Sequence, residues 1–316
     1  MTAPPAPYET LTAANLARST EPLAWLVEGL FLRGGAGILG GAPKSCKTFF
    51  ALDLCVAVAS GTACAGHFNV LAPGPVTLLC AEDPHAVLVE RLSGLARARD
   101  LELAALPLHV IVEPSVRLPE GIDRLRATVE ATNPRLLLLD PLIRLHRADE
   151  NSAAEMSVIL DALRNLARTA DTAVLLVHHA RKAAAGVASG AALRGSSDLH
   201  AFGDTNLYLR RADSALELRL EHRAAAAPDP LRLRLVAGDG WARFEVLHHT
   251  AVTEQPVAGR LLELLASNAA PLSSAALRDK LGVRNQVVAD ALKALLAEGR
   301  ILRDGRDGWR ASCAAD

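Results

Sequence analysis

Gly41-Ala42-Pro43-Lys44-Ser45-Cys46-Lys47-Thr48 follows a short apolar run, Ala36 to Leu39, and opens a helix-forming stretch, Phe49 to Val58. Strand, tight loop and helix in this order are the setting of the phosphate-binding pattern G-x-x-x-x-G-K-[ST]. Successive backbone N–H groups and the helix N-terminus make a concave anion site in such a loop. Gly41, Ala42, Pro43, Lys44, Ser45, Cys46, Lys47 and Thr48 are therefore expected to cradle a nucleotide phosphate chain. Lys47 would reach the terminal phosphates and Thr48 would hold Mg²⁺. Cys46 departs from the pattern, standing where glycine would let the backbone approach the phosphate closely. Its thiol, beside Lys47 at a helix N-terminus, has two readings: a small side chain tolerated in place of glycine, or a reactive group whose oxidation closes the site. The upstream run Gly35-Ala36-Gly37-Ile38-Leu39-Gly40 matches G-x-G-x-x-G, but it overlaps the strand instead of following it, which disfavours a dinucleotide site.

The 316 residues suffice for one large domain and a small one. Half are hydrophobic and only 3% aromatic, so Ala and Leu must fill the core. A net charge of −1 excludes a global positive field, and any nucleic-acid contact must use local patches. No apolar run is long enough to span a bilayer, and the N-terminal Met1 to Pro7 lacks the charged and apolar regions of a secretory signal. Cys46, Cys55, Cys64, Cys80 and Cys313 have no metal-ligand spacing, and their odd number argues against a disulfide framework. These features predict a cytoplasmic protein without membrane attachment.

Residues 1–24 are Pro/Ala/Thr-rich and read as a flexible arm, with Trp25 to Leu30 packing ahead of the first core strand. Residues 25–250 then alternate strands (Val76–Ala81, Leu108–Val112, Arg135–Asp140, Thr172–His178) with helices (Ala86–Arg97, Gly121–Ala131, Ala153–Thr169). Apolar strands separated by helices predict an α/β domain with a mainly parallel sheet covered on both faces. From Asp204 the pattern changes to antiparallel strands, Leu207–Arg211, Ala215–Glu221, Leu231–Val236 and Arg243–Leu247. Residues 255–312 carry helices at Val257–Ser267, Ser273–Lys280 and Asn285–Glu298, then a Gly-punctuated hairpin over Arg300–Arg310. Three helices and a hairpin of this size read as a winged helix-turn-helix.

Polar residues end three of the buried strands. Asp140 closes Leu136-Leu137-Leu138-Leu139, where a carboxylate beside a phosphate loop serves Mg²⁺. Glu82 follows Val76 to Ala81 and is placed to orient or deprotonate an attacking water. His178 and His179 close Val174 to Val177, and strand alternation lets at most one of them meet the nucleotide. Either His could also be a satisfied strand-end group. Asp83, followed by Pro84, reads as a helix N-cap. In the small unit Arg284, Asn285, Gln286 and Lys293 are candidates for a major groove, and Arg303, Arg306 and Arg310 for backbone contacts. Asp290, Glu298, Asp304 and Asp307 dilute that charge, so duplex binding and protein docking both stay open.

Together, Trp25 to Leu30, Gly40 to Thr48, Ala81-Glu82-Asp83, Leu136 to Asp140, Leu176 to His179, Leu193 to Ser197 and Leu207 to Arg211 resemble the RecA-like superfamily, specifically the RepA-like hexameric ATPases of plasmid and mobile-element replication. The resemblance covers about Trp25 to Leu247. It implies a ring-forming homo-oligomer that hydrolyses ATP with Mg²⁺ at subunit interfaces and acts as a replicative DNA helicase beside replication or mobile-element partners. Lys47 and Thr48 then correspond to the phosphate lysine and Mg²⁺ ligand, Glu82 to the catalytic base, Asp140 to the Mg²⁺-associated acid and His179 to a γ-phosphate sensor. Arg210 or Arg211 resembles an arginine finger acting on the neighbouring subunit's ATP. Arg181 to Arg194, with Lys182, is placed like the loop that grips single-stranded DNA in the ring's channel, and Arg144 to Asn151 like its companion. The family's glycine is Cys46 here, and the C-terminal unit is an addition to the family core. Two other readings remain: an ATP-switched DNA-binding regulator or loader, and a weakly active scaffold.

Overall fold

Leucine and valine runs with no polar break cannot face water on either side, and in the structure they become strands buried between helical layers. The computed structural model describes residues 9–19, 23–113, 116–179, 197–247, 257–268, 270–281, 283, 285–305 and 308–312. The chain divides into two compact units, Met1–Leu247 and His248–Asp316.

In the first unit the strands are β1 Trp25–Val27, β2 Phe31–Leu32, β3 Ala36–Gly41, β4 Val76–Cys80, β5 Leu108–Val110, β6 Leu136–Asp140, β7 Ala173–His179, β8 Thr205–Ala212, β9 Ala215–His222, β10 Leu231–Gly238 and β11 Trp241–Val246. The helices are α1 Ala13–Ser19, α2 Lys47–Ser60, α3 His85–Arg97, α4 Ile122–Thr132, α5 Ala153–Thr169 and α6 Ser197–Phe202. Strands β1 and β2 form a small antiparallel pair. The large sheet runs β11-β10-β9-β8-β3-β7-β6-β4-β5. It is parallel from β5 through β8, and β8 to β11 extend it as an antiparallel meander.

Alternation along the strands builds two cores. Leu39, Leu136, Leu138, Leu175, Val177, Leu207 and Leu209 pack with α2 and α3. Ile38, Leu137, Leu139, Val174 and Leu176 face the other way and pack with α4, α5 and α6. Residues Leu136 to Leu139 are all fully buried. This is what a parallel strand covered on both faces requires. Glycine is needed where strands crowd: a Cβ on Gly37 would lie 2.2 Å from the Thr205 carbonyl. Helix α2 is apolar all round and sits inside the fold, yet it contains Asp53, which is fully buried. Its carboxylate accepts from the Ala65 backbone N–H at 2.6 Å and pairs with Arg99 at 2.7 Å.

The second unit consists of α7 Val257–Ala266, β12 Leu272–Ser273, α8 Ser274–Leu281, α9 Asn285–Ala297, β13 Ile301–Asp304 and β14 Gly308–Ala311. Its strands form a sheet ordered β12-β14-β13. Leu261, Leu265, Leu277, Val288, Leu292, Leu295 and Ile301 make its own core. The Ser273 hydroxyl accepts from the Ala276 N–H at the start of α8.

Within residues 1–24, Ala13–Ser19 is helical. Two expectations are corrected. Asp83 does not cap α3: Pro84 occupies the N-cap, and the Asp83 carboxylate is drawn into an ion pair with Arg91 within that helix. Glu82 does not end a strand, because β4 stops at Cys80 and Glu82 lies in the following bend. Strand β12 was not anticipated; two residues leave no periodic signal in the sequence.

Candidate functional site

The loop after β3 turns into α2 through two left-handed non-glycine residues, Lys44 and Cys46, both at φ 63°. Such a conformation crowds Cβ against the backbone and is unusual outside glycine. Gly41 is irreplaceable on packing grounds: a Cβ there would lie 2.3 Å from the Leu209 carbonyl and 2.8 Å from Ser45 Oγ. The loop is thus closed against β8 on one side and leads straight into the first turn of α2 on the other.

Lys47, the first residue of α2, is buried, and its Nζ donates to the Ala42 carbonyl at 2.8 Å. Burial lowers its pKa, opposed by the negative charges of Asp140 and Glu82 and by Cys46. Asp140 ends β6 on the face that carries α2, and Thr48 hydrogen-bonds to its carboxylate. Burial pushes the Asp140 carboxyl up to about 6, with the Thr48 hydrogen bond pulling the other way, Asp83 adding to the rise and Lys47 opposing it. Glu82 is exposed and accepts from Arg144 Nε at 2.8 Å. Lys47, Thr48, Asp140 and Glu82 therefore converge at one mouth, the carboxyl edge of the parallel strands, where α/β sheets bind ligands.

A nucleotide phosphate chain and Mg²⁺ fit this mouth. Among the described residues, Ser45 Oγ and Asp140 Oδ2 are buried without a hydrogen-bond partner, so one loop hydroxyl and one carboxylate oxygen remain able to take one. No cluster of three or more His, Cys, Asp or Glu suited to a metal is found among the described residues. A hard cation would accordingly be held by Thr48 and Asp140 jointly with phosphate oxygens, the usual arrangement for Mg²⁺.

Strand β7 separates its two histidines. His179 stands beside Gly41 in the β3–β7 register and, by alternation with Leu175 and Val177, faces the α2 side. His178 points to the other layer, with Nδ1 3.5 Å from Glu150 Oε1, and His146 Nε2 lies 3.9 Å from that same oxygen. Sequence reasoning missed His146 and Glu150, which sit in a connection with no periodic pattern. It also missed Asp53, although a lone carboxylate in the run Phe49 to Val58 signals a buried partner.

Strand β8 likewise divides its arginines. Arg210 forms a two-bond pair with Glu217 on β9, at 2.9 and 2.8 Å. Arg211 lies on the opposite face, over the chain's own loop: its Nε donates to the Lys44 carbonyl at 3.0 Å and its Nη2 is 3.8 Å from Cys46 Sγ. In the second unit, Asn285 accepts from Arg278, Gln286 donates to Asp290 and Arg303 stacks over Trp309, while Lys293 is exposed. Arg181, Lys182, Arg194, Arg284 and Arg306 lie outside the described residues. No helix among the described residues is long and apolar enough to cross a membrane.

The family described as AAA domain matches residues 2–185, more than half of the chain. Among solved structures, the ATPase domain of G40P superposes with a TM-score of 0.53 at 18% identity, covering 68% of this chain and 86% of that one. A DnaB-like replicative helicase, solved with attention to its interactions with primase, gives a TM-score of 0.55 at 16% identity and covers 72% of this chain. The match spans 65% of that helicase's length. These likenesses show the fold alone, which this chain shares with the G40P ATPase domain and the DnaB-like helicase.

Proposed function

The chain belongs to the AAA domain family, and on that premise we propose that it is an ATP-hydrolysing DNA motor, a replicative-type helicase of a mobile element that works as a ring, a hexamer by resemblance. The observation that carries this reading is the meeting of Lys47, Thr48, Asp140 and Glu82 at the mouth of the loop. Loop N–H groups and Lys47 bind and orient the phosphate chain. Thr48 and Asp140 hold Mg²⁺, which supplies charge neutralisation on the phosphate oxygens. Glu82 positions the attacking water and takes its proton, with Arg144 setting the carboxylate's orientation. His179, next to Gly41 and on the α2 side, is suited to feel the terminal phosphate.

Of the two arginines, Arg210 is the candidate for the in-trans role, since Arg211 already serves its own chain's loop. A guanidinium supplied across a subunit boundary ties hydrolysis to assembly. Arg181, Lys182 and Arg194 would track single-stranded DNA phosphates in the channel. The second unit would act as a winged helix, with Arg284, Asn285, Gln286 and Lys293 toward duplex DNA and Arg303 and Arg306 toward its backbone.

The test is phosphate release in magnesium buffer with and without single-stranded DNA. Lys47→Ala should abolish turnover. Glu82→Gln should bind ATP yet hydrolyse it about 10²–10⁴-fold more slowly, the usual worth of a general base. No affinity of the wild-type protein for ATP or ADP would end the proposal, and turnover indifferent to single-stranded DNA would remove the motor.

A further inference from the structure

We propose that Arg211 is a positioning residue acting in cis: it braces the bend of its own phosphate loop and takes over what glycine at the Cys46 position would provide. The significance for nucleotide binding rests on the reading of that loop given above; the brace itself does not.

Two left-handed residues with side chains, Lys44 and Cys46, shape the bend. Glycine adopts that conformation freely, whereas a residue with a Cβ holds it only where its surroundings over-determine it. Arg211 meets both positions with one planar group, through the Lys44 carbonyl at 3.0 Å and the Cys46 sulfur at 3.8 Å. A forked, always-charged donor can hold two acceptors in a fixed relative geometry, which an ammonium cannot do.

The placement of Arg211 follows from the strand. Leu207 and Leu209 pack on the α2 side, so alternation brings Arg211 to the same face. The Leu209 carbonyl already lies against Gly41, close enough to exclude a Cβ. Strand and loop are therefore in contact one repeat of the pleat before Arg211, and the side chain has only to reach forward. Arg210, paired with Glu217 on the other face, is withdrawn from the loop.

The experiment is a double-mutant cycle in the full chain with Arg211→Ala, Cys46→Gly and the double variant, read in two ways. Urea unfolding without nucleotide reads the brace alone. Titration of a fluorescent ADP analogue with Mg²⁺ reads its effect on binding. Arg211→Ala should lower affinity by about tenfold, or 1.4 kcal/mol, when Cys46 is present. In the Cys46→Gly background the same replacement should cost about threefold or less. The unfolding cycle should be non-additive in the same sense, with Cys46→Gly rescuing Arg211→Ala. A structural role elsewhere on β8 would not be rescued by Cys46→Gly. Additive unfolding effects, or an unfolding equilibrium that Arg211→Ala leaves unchanged, would overturn the proposal. If the unfolding cycle is coupled while no variant binds the analogue, the brace stands and the nucleotide reading falls.

Discussion

Replacing Asp53 by alanine tests how the helix that carries Lys47 is held. The Asp53 carboxylate is fully buried and the Arg99 side chain is 10% exposed. Arg99 also donates to Thr62 Oγ1 and to the Leu95 carbonyl, so its guanidinium keeps neutral acceptors when the carboxylate goes. What disappears is the counter-charge and the acceptor for the Ala65 N–H, in a residue at φ 51°. Removing one partner of a buried ion pair costs about 3–5 kcal/mol because the other charge stays buried. Against a total stability of roughly 5–15 kcal/mol, that is about a fifth or more of the whole. The melting temperature should fall by roughly 10 °C for a unit of this size. Urea unfolding followed by circular dichroism gives the number directly. The origin of the loss is separable: Asp53→Leu combined with Arg99→Met leaves no stranded charge and should be more stable than either single replacement. A double variant less stable than both singles, or an Asp53→Ala cost below about 1 kcal/mol, would refute the argument.

Two other outcomes follow from the same electrostatics. His146 is buried and its pKa is lowered, first by burial and also by His178, with Glu150 and the Ala148 backbone opposing. Its folded pKa lies below the unfolded value, so the neutral ring contributes stability above about pH 6.5 that is lost as pH falls. His146→Gln should therefore flatten the decline in urea midpoint between about pH 7.5 and 5.5; an unchanged decline would count against it. Burial raises the Cys55 and Cys64 thiols well above their ordinary value. In native protein at about pH 8 a disulfide reagent should modify the half-buried Cys46 ahead of Cys55 and Cys64, which wait for unfolding, as peptide mapping would read.

The sheet was legible because its strands are short apolar runs ended by polar residues, and the helix Ala153–Thr169 agrees to the residue. Lys47, Thr48 and Asp140 were legible as a group because a loop motif and a strand-end carboxylate reinforce one another. The roles of Arg210 and Arg211 were not separable, since spacing does not say which of two adjacent side chains faces the loop. The cap at Asp83 was misread because the local signal Asp-Pro competes with an ion pair to Arg91, eight residues on, that no capping rule contains. The cluster of His146, Glu150 and His178 was invisible for a similar reason: tertiary packing, not periodicity, brings it together.

The pairing of Arg210 with Glu217 has a consequence beyond the ion pair itself. Strand β8 is held by parallel pairs to β3 and by eight antiparallel pairs to β9, from Thr205–His222 to Ala212–Ala215. A slip of one residue would turn every side chain to the opposite face. The guanidinium now over the loop would then be carried to the far layer, and its neighbour would arrive in its place. The buried Leu207 and Leu209 set that register, and Glu217 acts with them as a detent: it catches one of the twins on the outer side and leaves the other to the phosphate loop.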